Sequence, residues 1–216
     1  MTIQILNAEL GIAATNAYII ADTQTQEAIL IDPVDDAPFL HKMMIDAGWQ
    51  VKLILATHAH FDHILASKAA KELMGAPFWT HQQSKQWLDS LPQQGRRFGL
   101  GDFPEAATPD RWLTDEPETI QIGSIALETI YTPGHAPDHI AYFLRSENIL
   151  FVGDCVFEMS IGRTDLPGSN YEQLMQSITQ KILPLGDDVH LLPGHGRETT
   201  IGRERRANPF ILDYLG

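Results

Sequence analysis

The segment Thr57-His58-Ala59-His60-Phe61-Asp62-His63 carries four side chains able to bind a metal ion. It follows directly on the apolar run Val51 to Ala56, which reads as a buried strand, and precedes a helical pattern. An extended chain turns residues i and i+2 to the same side, so His58 and His60 are expected to converge on one cation. Asp62 and His63 are expected where the chain turns into the next helix, within reach of a neighbouring cation. Imidazole and carboxylate are the ligands that zinc and iron accept in open catalytic sites. Such packing predicts a binuclear centre. A polar surface loop would explain the four residues poorly, given the buried strand before them.

Three more ligand types stand just beyond strand-like runs. His135 follows Ile125 to Tyr131 on a Pro133-Gly134 turn, Asp154 follows Ile149 to Val152, and His195 follows Val189 to Leu192 on Pro193-Gly194. Turns held by a rigid scaffold are where sites are built, and Pro-Gly sets such turns. The candidate ligands are therefore His58, His60, Asp62, His63, His135, Asp154 and His195. The other histidines read blandly: His41 and His81 as solvated, His190 as paired or surface-exposed, and His139 as a group supporting the ligands. Cys155 faces away from Asp154 and reads as a packed thiol.

The elements that must position these residues follow from periodicity and punctuation. Thr2 to Leu6 reads as a first strand, followed by a turn at Gly11, and Asn16 to Ala21 with Ala28 to Ile31 reads as a hairpin. Asp32-Pro33 ends the hairpin. Asp35 or Asp36 caps a helix with Leu40, Met43, Met44 and Ala47 at helical spacing, stopped by Gly48. Beyond the histidine cluster, Ala66, Ala69, Ala70 and Leu73 mark the inner face of a helix ended by Gly75. Phe78 to Thr80 reads as a strand and Gln82 to Leu88 as helical. Residues 90–110, with three prolines, three glycines and Arg96-Arg97, show no sustained periodicity and read either as a flap over the site or as a surface loop. Thr119 to Ile122 and Ile125 to Tyr131 form a hairpin through Gly123-Ser124, and Ile140 to Leu144 is a further strand. Ser169 or Asn170 caps a helix with Tyr171, Leu174, Met175, Ile178 and Ile182 on one face, closed by Pro184 and Gly186. The terminal segment from Arg203 reads as helical, interrupted by Pro209.

The 216 residues fit one domain, 1–216, with 44% apolar and 20% charged residues, ordinary for a globular protein. The excess of 28 acidic over 15 basic residues, a net charge of −13, repels polyanions and argues against a nucleic-acid partner. One cysteine allows no internal disulfide and no CxxC motif, which points to a reducing compartment. The start has no basic region followed by an apolar one, and no apolar run approaches the length of a membrane span. These features predict a cytoplasmic protein with no membrane partner, and they leave the oligomeric state open.

The motifs THAHFDH (57–63), TPGHAPDH (132–139), GDCVF (153–157), SIGRTDLPG (160–168) and PGHGRETTIGRER (193–205), in this order, resemble those of the metallo-β-lactamase-fold hydrolases, specifically their compact glyoxalase II-like (hydroxyacylglutathione hydrolase-like) branch. The resemblance implies a fold of the α/β (α+β) class, a four-layer αββα sandwich. It assigns His58, His60 and His135 to one metal and Asp62, His63 and His195 to a second, with Asp154 bridging. The cofactors implied are two divalent ions, zinc first, with iron or manganese as alternatives.

Two cations about 3.5–4 Å apart generate hydroxide from a shared water near neutral pH and stabilise the oxyanion formed when it attacks a carbonyl. Asp62 is the candidate to orient that nucleophile and take its proton. A thiolate leaving group, with a thiol pKa of about 8.5, needs little help from a general acid, so thioester hydrolysis is the economical assignment. A small-molecule thioester linked to glutathione, S-lactoylglutathione foremost, is the implied substrate. The resemblance aligns Arg163 with a basic residue that helps bind glutathione, through a bidentate contact to a carboxylate. The other reading of Arg163 is a structural arginine satisfying turn carbonyls between Ser160 and Ser169.

Two departures stand against glutathione. Asp165 and Arg197 occupy positions where longer glyoxalase II enzymes carry tyrosines, and the sequence stops soon after Arg203-Glu204-Arg205-Arg206, without a C-terminal helical domain. The rival readings are a mononuclear-iron persulfide dioxygenase and a metal-binding non-enzyme, both of the same fold. A β-lactam hydrolase ranks lower because His63 follows Asp62.

Overall fold

The computed structural model describes residues 2–97 and 99–216. Met1, Phe98 and the side chain of Arg97 lie outside the described residues, and with them parts of the readings of the chain start and of residues 90–110. The chain divides into two compact units, residues 1–113 with 121–125, and residues 114–120 with 126–216.

The first unit is a six-stranded sheet in sequence order: β1 (Ile3–Leu10), β2 (Thr15–Asp22), β3 (Glu27–Ile31), β4 (Gln50–Leu55), β5 (Phe78–His81) and β6 (Arg111–Leu113). β1 to β3 form an antiparallel meander and β3 to β6 run parallel. Parallel neighbours need crossovers, which here carry α1 (Ala37–Ala47), then α2 (Phe61–Ile64) and α3 (Ser67–Met74), then α4 (Lys85–Arg97). Asp36 starts α1, its Oδ1 accepting from the Phe39 N–H at 3.1 Å, and Gly48 ends it at φ 76, a left-handed position that glycine adopts without a Cβ clash. Leu40 and Met44 of α1, Ala70 of α3, and Leu88 and Leu91 of α4 share one core with Ile19, Leu30 and Ile54 of the sheet.

Four expectations are corrected in this unit. β1 runs to Leu10 because it pairs with β2 along its whole length, out to Leu10 opposite Thr15. In α3, Ala66 and Ala70 are buried, but Ala69 and Leu73 face solvent. Ser67 takes the inner position instead, its Oγ accepting from the Ala107 N–H at 3.0 Å. α4 does not stop near Leu88 but passes through Pro92 to Arg97. The proline removes one helical donor, while burial of Leu91 and a 3.0 Å bond from Gln94 Nε2 to the Trp87 carbonyl hold the turn beyond it. Finally, His81 is fully buried, its Nδ1 accepting from the Gln83 N–H at 3.3 Å, whereas the pattern had it solvated. The segment 99–110 is pinned by bonds from Leu100 N–H to Gly95 and from Phe103 N–H to Pro92, and by the Arg96–Asp102 and Lys68–Glu105 ion pairs.

In the second unit, β7 (Thr119–Ile122), β8 (Ile125–Tyr131), β9 (Ile140–Leu144) and β10 (Ile149–Gly153) are followed by a small ribbon, β11 (Val156–Phe157) with β12 (Ser160–Ile161). β13 (His190–Pro193) and β14 (Thr199–Thr200) complete a sheet of order β14-β13-β10-β9-β8-β7. The hairpin tip 121–125 groups with the first unit, where the Ser124 N–H donates to Asp22 Oδ2 at 2.9 Å. α5 (Tyr171–Ser177), capped by Asn170, and the wider helical turn that follows it bury Leu174, Met175, Ile178 and Ile182 against Phe143, Leu150, Val152 and Leu191. Tyr171 is instead exposed, since it sits on the first turn before the buried stripe begins. α6 (Ile201–Ala207) and α7 (Pro209–Leu215) are joined at Asn208, and His190 is exposed. Among the described residues no helix is long and apolar enough to cross a membrane.

Candidate metal centre

β4 ends at Leu55, so His58 and His60 stand beyond the strand and not within it. Their convergence has another cause. Asp32, at the end of β3, sits at φ 56 and is buried. Its Oδ1 accepts from the Thr57 N–H at 2.6 Å, and its Oδ2 accepts from Thr57 Oγ1 and from His63 Nδ1, each at 2.9 Å. A carboxylate accepts only, so His63 carries its proton on Nδ1 and keeps the Nε2 lone pair for a ligand. That Nε2 lies 3.6 Å from Asp62 Oδ2.

The same logic runs through Thr57. Its single hydroxyl proton goes to Asp32, so it accepts from His58 Nδ1 at 3.1 Å, leaving the His58 Nε2 lone pair facing His60 Nδ1 at 2.9 Å. Two nitrogens bound tetrahedrally to zinc at 2.0–2.1 Å stand about 3.3 Å apart, close to this spacing. The donor set of this unit thus fits a metal ion. Ligand-type atoms of His58 and His60, of His58 and His63, and of Asp62 and His63 lie within 4.8 Å of each other. Asp62 is steadied by Thr15, whose Oγ1 donates to Asp62 Oδ2 at 2.9 Å.

In the second unit main-chain atoms take part in the fixing. The Arg163 carbonyl accepts from His135 Nδ1 at 2.9 Å, which directs the His135 Nε2 lone pair outward. Asp154 Oδ2 lies 3.5 Å from that Nε2 and 3.4 Å from His195 Nε2, so one carboxylate oxygen stands between two imidazoles. The Asp154 N–H donates to His139 Nε2 at 3.0 Å, and His139 Nδ1 therefore donates to Thr132 Oγ1 at 2.9 Å. His139 is the supporting group expected. At Gly162 a Cβ would fall 1.9 Å from the Asp154 carbonyl oxygen, so only glycine lets this loop close over Asp154. Cys155 is buried, and burial pushes its thiol up to about 12, a packed group rather than a ligand.

Arg163 matches neither reading of its side chain fully. Its guanidinium is exposed and makes a bidentate pair with Asp165 at 2.7 Å, and this pairing holds the Asp165 carboxyl down to about 2. The part that touches a candidate ligand is the main-chain carbonyl. Sequence reasoning passed over Asp32 and Thr15. Asp32 carried a usable signal, an acidic residue directly after a buried strand, the same mark that singled out Asp154. Thr15 carried none.

Residues 10–195 match the model of the Metallo-beta-lactamase superfamily. A Haemophilus influenzae protein named hydroxyacylglutathione hydrolase GloC is 39% identical over 197 residues, covering 91% of this chain and 92% of its own. The BLEG-1 B3 metallo-beta-lactamase structure is similar with a TM-score of 0.90 and 37% identity, over 96% of this chain and 99% of that one. TTHA1623, solved in a di-iron-bound form, is similar with a TM-score of 0.85 and 33% identity, over 95% and 99%.

Proposed function

The chain belongs to the metallo-beta-lactamase superfamily, and from that premise we propose that it is a binuclear metallohydrolase of thioesters, acting through residues 1–216 as one domain. Its mixed α/β fold is that of the solved relatives. On this reading His58, His60 and His135 would hold one divalent ion and Asp62, His63 and His195 the other, and Asp154 would serve both. The observation that carries this reading is the position of Asp154 Oδ2, within 3.5 Å of both His135 Nε2 and His195 Nε2. A carboxylate oxygen facing one histidine of each set supports a reading in which two cations share it.

Bound divalent ions supply hydroxide near neutral pH and polarise a carbonyl. The chain's own residues do the rest. Asp62 orients the nucleophile and accepts its proton, with Thr15 fixing the carboxylate that does so. Asp32 holds His63 and, through Thr57, His58 in the tautomers that present Nε2. The leaving thiolate needs no proton at neutral pH, and no further acid is assigned. The name of the Haemophilus influenzae relative supports a glutathione thioester as substrate, with S-lactoylglutathione first. Zinc is the first metal to test and iron the second, the latter supported by the di-iron form of TTHA1623. Arg163 is proposed at the rim, where it would meet a substrate carboxylate by exchanging its Asp165 partner. The protein is proposed to work in the cytoplasm.

A second reading, lactam hydrolysis, is favoured by the likeness to BLEG-1. The test is chelation followed by addition of zinc or iron, assayed with S-D-lactoylglutathione and with a chromogenic cephalosporin. Turnover of the thioester that returns with metal and falls about 10²–10⁴-fold in Asp62→Ala is expected. Metal-loaded protein that cleaves the cephalosporin alone makes the lactam reading the correct one. No turnover of either substrate overturns both.

A further inference from the structure

Next to Asp62, a hollow of about 220 Å³ opens within the first unit. Its walls are apolar: Ile12 on the turn between β1 and β2, Phe61 and Leu65 at either end of α2, and Leu100 and Phe103 from the segment after α4. Phe61 and Phe103 stack with centroids 5.1 Å apart. Ile12 is 73% and Leu100 41% exposed, so the fold leaves two large aliphatic side chains in water where they border the carboxylate assigned to catalysis. Apolar surface kept wet beside a reacting group marks a binding face. The charged lining residues are Asp35 and Asp62, both acidic, which disfavours an anionic occupant. The volume lies below the roughly 300–1,000 Å³ of pockets that enclose a whole drug-sized ligand, so the hollow suits one short group and not a peptide-like thiol.

We propose that this hollow binds an uncharged apolar group of the substrate, adjacent to the reacting carbonyl. On the thioesterase reading above, on which this assignment rests, that group is a short aliphatic or aryl acyl chain. The preferred substrates are then acyl thioesters more apolar than the lactoyl ester. The side chains that choose the acyl group are Ile12, Leu100 and Phe103. None of them is a metal ligand, and Ile12 and Leu100 are exposed enough to be replaced without touching the core.

The test has two readouts on the zinc-loaded protein. The first is the series acetyl-, butyryl- and hexanoyl-glutathione. Each methylene added should raise kcat/KM by about threefold to fourfold until the hollow fills, with the gain in KM, because the chain is held equally in ground and transition states. Leu100→Asp and, separately, Ile12→Asp should flatten that series. The second is saturation-transfer NMR with hexanamide, an uncharged carbonyl probe of the same length. Its signal should be present with the native protein, weak in both variants, and absent for acetamide. A flat series without hexanamide binding overturns the proposal, as does hexanamide binding that both aspartates leave unchanged. Hexanamide binding lost in the variants, with no thioester hydrolysed, supports the apolar subsite and overturns the thioesterase reading instead.

Discussion

Four of the proposed ligands arrive on one short segment between β4 and α3, and three arrive singly at the ends of β8, β10 and β13. The two groups are also fixed differently. His58 and His63 are set by side chains that meet at Asp32. His135 is set by the Arg163 main-chain carbonyl, and Asp154 by its own N–H on His139. A side-chain hub is sensitive to one substitution, because several tautomers depend on a single carboxylate. A backbone partner survives any substitution that leaves the loop in place. His58 and His63 should therefore be fragile at Asp32, and His135 tolerant at Arg163.

The largest effect expected among the supporting groups is at Asp32. Asp32→Asn suits the left-handed backbone there but no longer accepts with both oxygens, so His63 and His58 lose their fixed tautomers. Loss of such an outer partner weakens metal binding about 10–100-fold. A competitive chelator titration reads this directly. Arg163→Ala is the paired control, expected to change metal retention less than about twofold, since the carbonyl that His135 uses remains. Equal losses in the two variants would break the contrast between the halves.

Thr15→Val sharpens it next. Removing the hydrogen bond to the Asp62 carboxylate, worth about 1.5–3 kcal/mol for a charged acceptor, should lower kcat about 10–100-fold at saturating metal and weaken metal retention less than Asp32→Asn does, since one ligand and not two loses its partner, read by steady-state kinetics beside metal analysis. His139→Leu leaves the buried Asp154 N–H without its acceptor. That costs about 1–3 kcal/mol, seen as a fall in Tm of several degrees for a chain of this size, and His139→Gln should recover part of it.

The smallest effect concerns pH. Hydrogen bonds from Ser124, then Gln24, hold Asp22 down from 3.8 to about 2. A carboxyl depressed in the folded state contributes its stability above the unfolded value and loses it as pH falls from about 4 toward 2. Asp22→Asn should flatten that acid limb slightly in pH-dependent denaturation, and leave neutral pH activity alone.

Much of the candidate site was legible because it obeys local rules. His58, His60, Asp62 and His63 are contiguous, and His135, Asp154 and His195 each follow an apolar strand. The helix bounds at Asp36, Gly48 and Gly75 were legible for the same reason, since capping and left-handed turns are written in single residues. What escaped depends on tertiary contacts. α4 continues through Pro92 because Leu91 finds a core to fill. Ser67 displaces Ala69 because Ala107 offers it a donor. His81 is buried by packing that its neighbours in sequence do not announce. Thr15 reaches Asp62 across 47 positions, and no spacing in the sequence encodes that.

The measurement that tests the central claim most directly is a titration of metal-free protein with zinc, following S-D-lactoylglutathione hydrolysis and bound metal together. Activity that rises until two equivalents are bound, with Asp154→Ala binding at most one tightly and showing no turnover, is the result the binuclear thioesterase account predicts. Full activity at one equivalent, or two bound ions with no hydrolysis, would contradict it.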